Sequence, residues 1–511
     1  MAYKENAVNR LIPEEMIGFR GIDKPIEKDR KAGAKIRIGD KNKVKLKSSI
    51  REAIQASGLK DGMTISFHHH LRNGDYVTNM VVDEIAALGI KDICLAPSSL
   101  SPCHDHLIKH IESGVITSIQ SSGLRSKLGE EISKGILEKP TIIRSHGGRA
   151  RAIEDGELHI DVAFIAAPSC DYQGNISGSK GPSACGSLGY AMVDCQYADT
   201  VVAITDNMVK FPNLPASIGQ MYVDYIVEVD SIGDPSKIVS GAIRFSSDPR
   251  DDLIAENAVK SILASGYFKD GFVFQTGAAG SALAVAKFLK KEMLESGIKA
   301  SMALGGITGY MVDLLEEGLV EGIMDTQCFD LNAVESISKN PKHFEISASA
   351  YANPNNPTPA VNTLDFVLLG ALEIDTDFNV NVMTQSDGTI AQAVGGHQDT
   401  AVAANMSIIL APLIRARNPI IIDQVTTVCT PGQGVDVICT DYGIAVNPLR
   451  QDLIKRFDEA GLETKTIEEL KNIAESIVGK AEKIKFSDQP VAYVQYRDGS
   501  IIDVIYKEAT E

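Results

Sequence analysis

Two polar positions, Ser169 and Glu373, each follow a buried-looking apolar run, and only one of them carries a carboxylate. The segment 159–175 aligns with the segment 363–379 at an offset of 204 residues, and this alignment places Ser169 on Glu373. Polar residues at the carboxyl ends of such strands form the sites of α/β proteins. A glutamate in only one copy therefore predicts a duplicated scaffold in which one half does the chemistry.

Glu373 is a candidate nucleophile, because a positioned and partly desolvated carboxylate can attack a thioester. The attack creates a tetrahedral oxyanion, which needs N–H donors. Gly277 and Gly280 lie between a predicted strand and a predicted helix, and the pair Gly395 and Gly396 follows Glu373 along the chain. These glycines can supply the donors, although tight turns explain their spacing equally well. Neither a Walker loop nor a full dinucleotide fingerprint is present.

Cationic side chains near predicted strand ends are candidate receptors for a carboxylate substrate. Arg72, Arg125 and Arg149 have the guanidinium fork that binds a carboxylate bidentately, although each alone is more typical of a surface position. His68 is a candidate hydrogen-bond donor. It begins the run 68–70 of three histidines, which alternate faces on a strand and cannot all bind one ion. We therefore predict no metal site there.

The duplication extends beyond the two aligned segments. Residues 56–62 resemble 264–271 with one insertion, and residues 111–116 resemble 315–320 at the same offset of 204. A period this long indicates two tandem domains, since solenoid repeats run about 20–50 residues. Predicted strands and helices alternate through both halves, which favours an α/β fold with parallel sheets flanked by helices.

The predicted organisation has three parts. Residues 1–47 are a charged arm, residues 48–235 a first domain, and residues 236–511 a second domain. The boundary is placed in 231–249, where Gly, Pro, Ser and Asp cluster. The second domain is predicted to end in a hairpin, because an Asp-Gly turn at Arg497–Ser500 joins two alternating strands.

Composition excludes several classes of function. The net charge of −17 over 511 residues argues against sequence-independent nucleic-acid binding and against an anionic membrane surface. No apolar run reaches the ~18 residues of a membrane span. The eight cysteines are scattered without a C-x-x-C pair, so we expect a cytoplasmic protein without disulfides or a zinc finger. Cys170 and Cys185 lack an evident histidine partner and are interpreted as buried small residues.

Four motifs occur in an order that resembles the acyl-CoA:carboxylate CoA-transferases. They are the glycine loop Gly277–Gly280, Ala371–Asp377, the Gly-Gly-x-x-Asp of Gly395–Asp399, and Thr440–Ala445. The resemblance implies two CoA-transferase-like domains and assigns to Glu373 the attack on a thioester carbonyl. The glycine loop departs from the family, since it holds two alanines where Gly-Ile-Gly and a proline are common.

Further motifs resemble the alpha subunits of citrate lyase and cover nearly the whole chain, at residues 61–75, 122–125, 145–149, 168–171 and 303–308. This resemblance implies a transferase that exchanges acetate for citrate on a carrier-protein thioester, giving citryl carrier protein and acetate. It implies a beta subunit and an acyl carrier protein (gamma) subunit as partners, and an oligomer. The carrier would bring a CoA-like prosthetic group, so no cofactor is expected on this chain.

Several alternatives stay open at this stage. Glu373 either forms a covalent anhydride or positions the acyl group while a citrate carboxylate attacks directly. Rival functions are a generic CoA-transferase or acyl-CoA hydrolase acting on free CoA, and a scaffold subunit without activity.

Overall fold

The computed structural model describes residues 2–40, 42–239, 248–277, 280–482 and 484–509. Two large, mainly parallel sheets dominate the fold, and helices flank them. This arrangement confirms the predicted α/β class. Part of the segment 231–249, where the domain boundary is predicted, lies outside the described residues, and the domain limits themselves stay a prediction.

Short strands begin the chain, and the first half follows them. The strands are β1 (Tyr3–Glu5), β2 (Leu11–Pro13), β3 (Leu46–Lys47), β4 (Thr64–Ser66), β5 (Ile93–Leu95), β6 (Ile116–Ser121), β7 (Thr141–Ile143), β8 (Val162–Ala167), β9 (Ser169–Asp171), β10 (Ile176–Ser177), β11 (Thr200–Thr205), β12 (Met208–Val209) and β13 (Tyr225–Glu228). The helices are α1 (Ile50–Ser57), α2 (Val77–Ala87), α3 (Ile108–Glu112), α4 (Ser126–Ser133), α5 (His146–Glu154) and α6 (Gly189–Tyr197). Below, the first half means β4 to β13 and the segments that join them.

The second half means β14 to β26, and a final hairpin follows it. The strands are β14 (Phe272–Gln275), β15 (Ala300–Ile307), β16 (Ile323–Cys328), β17 (His343–Glu345), β18 (Phe366–Gly370), β19 (Glu373–Asp375), β20 (Val380–Asn381), β21 (Met406–Leu410), β22 (Ile414–Arg415), β23 (Asn418–Pro419), β24 (Ile421–Ile422), β25 (Val437–Thr440), β26 (Gly443–Val446), β27 (Phe486–Gln495) and β28 (Ile501–Glu508). The helices are α7 (Pro249–Ser265), α8 (Gly280–Ser296), α9 (Gly309–Glu316), α10 (Leu331–Lys339), α11 (Ala348–Ala352), α12 (His397–Ala403), α13 (Gln451–Glu459) and α14 (Ile467–Val478). Six 3-10 helices cover Arg72–Gly74, Pro102–Leu107, Gln220–Tyr222, Pro235–Ile238, Ala360–Thr363 and Gly432–Gly434 in the described residues.

The two halves share one strand order. The first sheet contains β7-β6-β5-β4-β8-β11-β13, and the second contains β17-β16-β15-β14-β18-β21-β25. Small three-stranded sheets, β10-β9-β12 and β20-β19-β24, repeat in the same way. The central strands are buried along their length, as strands covered on both faces must be; every residue of β8 and of β21 is buried. The duplication inferred from the sequence is therefore a duplication of topology.

A pair of aspartates repeats its hydrogen bond as well. The carboxylate of Asp161 accepts the backbone N–H of Thr64 at 2.7 Å, and that of Asp365 accepts the N–H of Val273 at 2.9 Å. In each half the bond joins the segment before the central strand, β8 or β18, to the neighbouring strand, β4 or β14. This shared role explains why both aspartates survive at the repeat offset.

The C-terminal hairpin was predicted as part of the second domain, and its placement is different. Strand β27 pairs in parallel with β7 and antiparallel with β28, so the hairpin extends the first sheet. Strand β7 would otherwise be an edge with unpaired N–H and C=O groups, which a following chain segment can cover. At the opposite edge, β3 pairs with β13 and extends the first sheet again.

Several cations of the charged arm pair with carboxylates of the first half. Lys31 pairs with Glu154 at 2.8 Å, and Arg37 pairs with Asp224 at 3.2 Å. Lys31 and Arg37 of the arm are therefore engaged in ion pairs within the chain. In the described residues no helix is long and apolar enough to cross a membrane.

Candidate active site

Glu373 is the first residue of β19 and lies opposite Asn381 of β20. The residue is 4% exposed. Its Oε2 atom accepts the side-chain amide of Asn381 at 2.9 Å and the backbone N–H of Thr426 at 2.8 Å. Its Oε1 atom accepts the Thr426 hydroxyl at 3.1 Å. Three donors thus hold a buried carboxylate in one orientation, which is the preorganisation a nucleophile or positioning group needs.

Both ends of the chain support the loop that carries Thr426. The N–H of Val428 donates to the Asp503 carboxylate of β28 at 2.7 Å. The guanidinium of Arg10 donates to the Val425 carbonyl at 2.5 Å and lies 3.4 Å from Asp503. The hairpin and the N-terminal strands therefore help to position the donors of Glu373.

Ser169 occupies the equivalent place in the first half, in β9 opposite Ser177 of β10. Its hydroxyl donates to the Ser177 carbonyl at 3.2 Å and accepts the Asn213 amide at 3.0 Å. These bonds satisfy a small neutral side chain. The position is structural in the first half and acidic in the second.

The loop at Gly395 and Gly396 joins the two halves. The Gly395 carbonyl accepts the N–H of His146 at 2.9 Å, and the N–H of Val394 donates to the Ser122 carbonyl at 2.9 Å. Gly395 has φ of 56°, which glycine adopts without steric cost. Neither glycine N–H donates a hydrogen bond to any described residue. Both are therefore available to a ligand.

His397 fixes the start of α12 beside the end of β18. Its Nε2 atom lies 3.0 Å from the Gly370 carbonyl, and its Nδ1 atom lies 2.7 Å from the Thr430 hydroxyl. Burial lowers the pKa of His397 to about 4, so the ring is neutral at pH 7. A neutral ring donates from Nε2 to the carbonyl and accepts from the hydroxyl at Nδ1.

A cavity of about 550 Å³ lies beside these elements. This volume is in the range of small-molecule sites. Its lining includes Gly280, Gly370, Ala371, Leu372, Ala393, Val394, His397, Arg250 and Arg415. Gly277 follows β14, and residues 278–279 of the glycine loop lie outside the described residues. The structure thus brings Gly280 and the loop before Gly395 to one cavity, next to the strand that begins with Glu373.

Arg72 and Arg125 lie at the carboxyl ends of first-half strands. Arg125 donates to the Ser99 hydroxyl at 2.9 Å and to the Leu100 carbonyl at 3.1 Å. The guanidinium of Arg72 lies 4.8 Å from the ring centre of Phe329, a second-half residue. Burial, and then the charge of Arg72, lower the pKa of Arg125 to about 10. Among the described residues neither guanidinium has a carboxylate partner, so this part of the interface is electropositive.

Aromatic and imidazole rings pack beside the two arginines. Tyr190 stacks on His69 with centroids 4.8 Å apart, and His146 lies 4.5 Å from Tyr190. Burial, followed by the charges of Arg125 and Arg149, lowers the pKa of His146 to about 3. The ring is therefore neutral at pH 7. Gln327 of the second half donates to the His69 carbonyl at 2.8 Å, which joins the strand ends of the two sheets.

Arg149 and His68 have partners of their own. The Arg149 guanidinium forms a bidentate ion pair with Asp194 at 2.7 and 2.8 Å, and the arginine is 4% exposed. The Nε2 atom of His68 accepts the N–H of Ala166 at 3.0 Å. Unlike Arg72 and Arg125, these two side chains have their principal polar groups occupied within the first half.

The two cysteines singled out by composition are buried. Burial raises the pKa of Cys170 to about 12 and raises that of Cys185 further. A nucleophilic cysteine needs the thiolate form. Neither thiol is thus poised for catalysis.

Sequence reasoning missed Asn381 and Thr426, which hold Glu373, His397, which lines the cavity, and Tyr190 and His146, which pack near the two arginines. One signal was present, because Asn381 lies at the repeat offset from Ser177 and differs from it as Glu373 differs from Ser169. The other four depend on contacts between distant segments.

Comparison with known proteins identifies the family of the chain. The family model "Citrate lyase, alpha subunit" matches residues 43–508. The citrate lyase alpha chain of Klebsiella pneumoniae is 54% identical over 91% of this chain and 92% of its own length. The corresponding chain of Escherichia coli is 52% identical over 91% of each.

Solved structures agree as well. A putative alpha subunit of citrate lyase from Streptococcus mutans, in complex with citrate, has a TM-score of 0.97 and 53% identity, covering 99% of this chain and 100% of that one. A Pseudomonas malonate decarboxylase hetero-tetramer shares the fold alone, with 14% identity, a TM-score of 0.63, and coverage of 84% and 85%. The chain belongs to the citrate lyase alpha subunit family, the transferase component that its motifs predicted.

Proposed function

We propose that this chain exchanges acetate for citrate on the thioester of a carrier protein, converting acetyl carrier and citrate into citryl carrier and acetate. The observation that carries the proposal is Glu373, a buried carboxylate held by three hydrogen bonds and preceded by Leu372, which lines the second-half cavity. The first half has Ser169 at that position, which cannot take the same role. Membership of the citrate lyase alpha subunit family supports the assignment.

Citrate binds at Arg72 and Arg125 in this proposal. Two partly buried cations close enough for one to lower the pKa of the other are costly without an anion nearby. A tricarboxylate offsets that cost, since each guanidinium can take a carboxylate bidentately. The citrate complex of the Streptococcus mutans relative supports an anion site in this fold. Arg149 and His68 take supporting roles, because Asp194 and Ala166 already occupy them.

Two chemical routes place Glu373 at the acyl group. In the first, Oε1 attacks the acetyl carbonyl carbon, the C–S bond breaks, the carrier thiolate leaves, and an acetyl-glutamyl anhydride forms. The thiolate then attacks the glutamyl carbonyl and acetate leaves. Citrate attacks this enzyme thioester and displaces the thiolate, which finally takes the citryl group from the citryl-glutamyl anhydride and frees Glu373. In the second, a citrate carboxylate attacks the same carbon, the C–S bond breaks and the carrier thiolate leaves; the thiolate then attacks the citryl carbonyl of the acetyl–citrate anhydride and acetate leaves, while Glu373 orients the acyl group. In the part of the chain that the structure describes, Oε1 has one donor, the Thr426 hydroxyl, whereas Oε2 has two. Oε1 is accordingly the oxygen that attacks in the first route.

The oxyanion of either route is stabilised by the N–H groups of Gly395 and Gly396. They lie on the loop that also reaches His146 and Ser122 across the interface. Removing one such donor typically costs two to three powers of ten in rate. Gly280 lines the cavity of about 550 Å³ and contributes to thioester binding. Gly277, at the start of the loop Gly277–Gly280, contributes with it.

The thioester is supplied by a carrier-protein (gamma) subunit with a CoA-like prosthetic group, and a beta subunit cleaves the citryl product. The cavity of about 550 Å³ receives that group. Arg415 lines it, and a cation suits the phosphates of a CoA-like ligand, whereas Arg250 at the same cavity is paired with Asp248 at 2.6 Å. No cofactor bound to this chain is needed for the exchange.

The proposal is tested by mixing the chain with acetyl carrier protein and measuring acetate and citryl carrier by mass spectrometry. We expect one acetate per citryl carrier, and no more than one acetate per chain when citrate is omitted. Continued acetate release without citrate would indicate a hydrolase. Equal use of free acetyl-CoA would indicate a generic CoA-transferase, and inertness toward every thioester a scaffold.

Borohydride trapping during turnover then separates the two routes. Reduction of an acyl or thioester adduct at Glu373, located by peptide mass spectrometry, identifies the anhydride route. An unmodified Glu373 in an active chain identifies direct attack by citrate.

A further inference from the structure

A second group of polar side chains converges on the outer side of the first half. Asp83 of α2, His106 of the 3-10 helix Pro102–Leu107, and His110 of α3 face one another. His106 Nε2 lies 2.8 Å from Asp83 Oδ1, and His110 Nε2 lies 2.7 Å from the same oxygen. The three candidate ligand atoms lie within 4.8 Å of one another. None of these residues belongs to the proposed exchange site.

We propose that Asp83, His106 and His110 form a binding site for a divalent transition-metal ion of the Zn²⁺ class. Histidines four residues apart on a helical segment share one face, as metal-binding pairs require. Zn²⁺ binds imidazole nitrogen and carboxylate oxygen at about 2.0–2.2 Å, which separates tetrahedral ligands by roughly 3.3 Å. The nitrogens and the oxygen are thus about 0.5 Å closer than a bound ion needs. A small side-chain rotation provides that separation.

Two of the three side chains reach solvent. The side chains of Asp83 and His106 are 45% and 37% exposed, which leaves room for water as a fourth ligand.

Lys109 would compete with a metal ion for the carboxylate of Asp83. Its ammonium lies 3.0 Å from the same Asp83 oxygen that both histidines approach. A metal ion must displace this cation, since both need the one carboxylate. Without a metal, Lys109 and the two histidines form a surface hydrogen-bond network around Asp83.

A metal at this place would clamp two elements that lead to the proposed anion site. Helix α2 follows the turn that holds Arg72, and Asp75 in that turn accepts the N–H of Thr78 at 3.1 Å. The 3-10 helix carries Asp105, whose carboxylate accepts the N–H of Leu128 at 2.9 Å, three residues after Arg125. An ion that ties α2 to the 3-10 helix therefore stabilises the supports of both arginines.

The test uses the metal-stripped full chain and titrates it with Zn²⁺, with bound metal measured by equilibrium dialysis and elemental analysis. We expect one Zn²⁺ per chain and a Zn²⁺-dependent rise in the thermal unfolding midpoint. His106→Gln removes an exposed ligand and should weaken binding by more than about tenfold and abolish the thermal shift. Lys109→Gln removes the competing cation and should tighten binding.

His159→Gln is the matched control, because His159 belongs to a different cluster with Asp161 and Asp199. This variant should bind Zn²⁺ as the native chain does. The proposal is overturned if the native chain takes up no Zn²⁺, if His106→Gln binds it unchanged, or if His159→Gln loses it instead. The readouts are metal content and unfolding temperature, so the proposed exchange reaction can fail without affecting the result.

Discussion

The turns after β9 and β19 are built alike, yet the two strands differ where chemistry is proposed. Asp171 accepts the backbone N–H of Asn175 at 3.1 Å and its side-chain amide at 2.8 Å. Asp375 accepts the corresponding groups of Asn379 at 2.9 and 3.1 Å. Two residues before each aspartate, the first half has a serine and the second has Glu373. The turn is conserved as a scaffold, and the adjacent position has changed in chemistry.

The arginines proposed to bind citrate lie in the first half, whereas the proposed acyl-transfer carboxylate lies in the second. The first half contributes Arg72 and Arg125 without carboxylate partners among the described residues, and the second half contributes the carboxylate of Glu373. The duplicated halves thus supply different parts of one proposed site. Duplication allows this, because each copy can lose a role that the other keeps.

Exchanging the glutamate for its amide should have the largest effect. Glu373→Gln keeps the side-chain shape and removes the charge, so we expect transfer to fall by several powers of ten while the fold survives. Ser169→Ala is the matched change in the first half and should leave the rate within about threefold, because it removes only two neutral hydrogen bonds. Citrate-dependent acetate release and circular dichroism measure the two outcomes. Near-normal transfer by Glu373→Gln would place the chemistry elsewhere.

Arg149→Ala should destabilise the first half, because we expect Arg149 to pair with Asp194 and not with citrate. It leaves the Asp194 carboxylate buried and unpaired, which costs about 3–5 kcal/mol of the free energy of unfolding. Urea unfolding measures the loss. A fully stable Arg149→Ala variant with impaired citrate binding would instead make Arg149 a substrate ligand and contradict the division of cations drawn above.

Arg72→Ala and Arg125→Ala should weaken citrate binding selectively. Loss of one charge-assisted carboxylate contact costs about 1.5–3 kcal/mol, or roughly ten- to 150-fold. We expect this rise in the KM for citrate, with a much smaller change in the KM for acetyl carrier. Steady-state kinetics with each substrate varied in turn make the measurement. Equal rises in both constants would mean that the arginines act through the packing of the interface.

Substitution of the two turn aspartates, Asp171 and Asp375, should have the smallest effects, and the two positions are closely matched. Burial acts to raise the pKa of each, but hydrogen bonds from Asn175 and Asn213 outweigh burial at Asp171 and lower its pKa, whereas the pKa of Asp375 is raised. The ionised form of Asp171 thus stabilises the fold above the unfolded-state pKa, and this contribution is lost as pH falls through the folded value. Asp171→Asn should cost about 1–2 kcal/mol at pH 7, and Asp375→Asn less. Chemical unfolding at pH 7 ranks the two variants, and the reverse ranking would contradict the argument.

Residues that recur at the offset of 204 allowed much of this comparison between the two halves to be predicted from the sequence. Asp161 and Asp365 recur because one local hydrogen bond requires the same residue at the same place in each half. Helix limits were predictable for a similar reason: Ser49 caps α1 and Gly58, with φ of 75°, ends it.

Contacts between distant segments were not predictable. The pairing of β27 with β7 joins strands more than 340 residues apart, and nothing in either strand specifies the other. The partner of Arg149 and the Thr426 donors of Glu373 depend on the same kind of long-range packing. Residue types indicated which groups can do chemistry, while their partners required the tertiary structure.

The central claim is that the second half carries the acyl chemistry and the first half receives citrate. A crystal structure with citrate and a non-hydrolysable acetyl-CoA analogue tests it most directly. We predict citrate carboxylates within ion-pair distance of Arg72 and Arg125, and the acyl carbon beside the Glu373 carboxylate, with its oxygen facing the N–H groups of Gly395 and Gly396. An acyl group bound against Ser169, or citrate bound away from both arginines, would contradict the account.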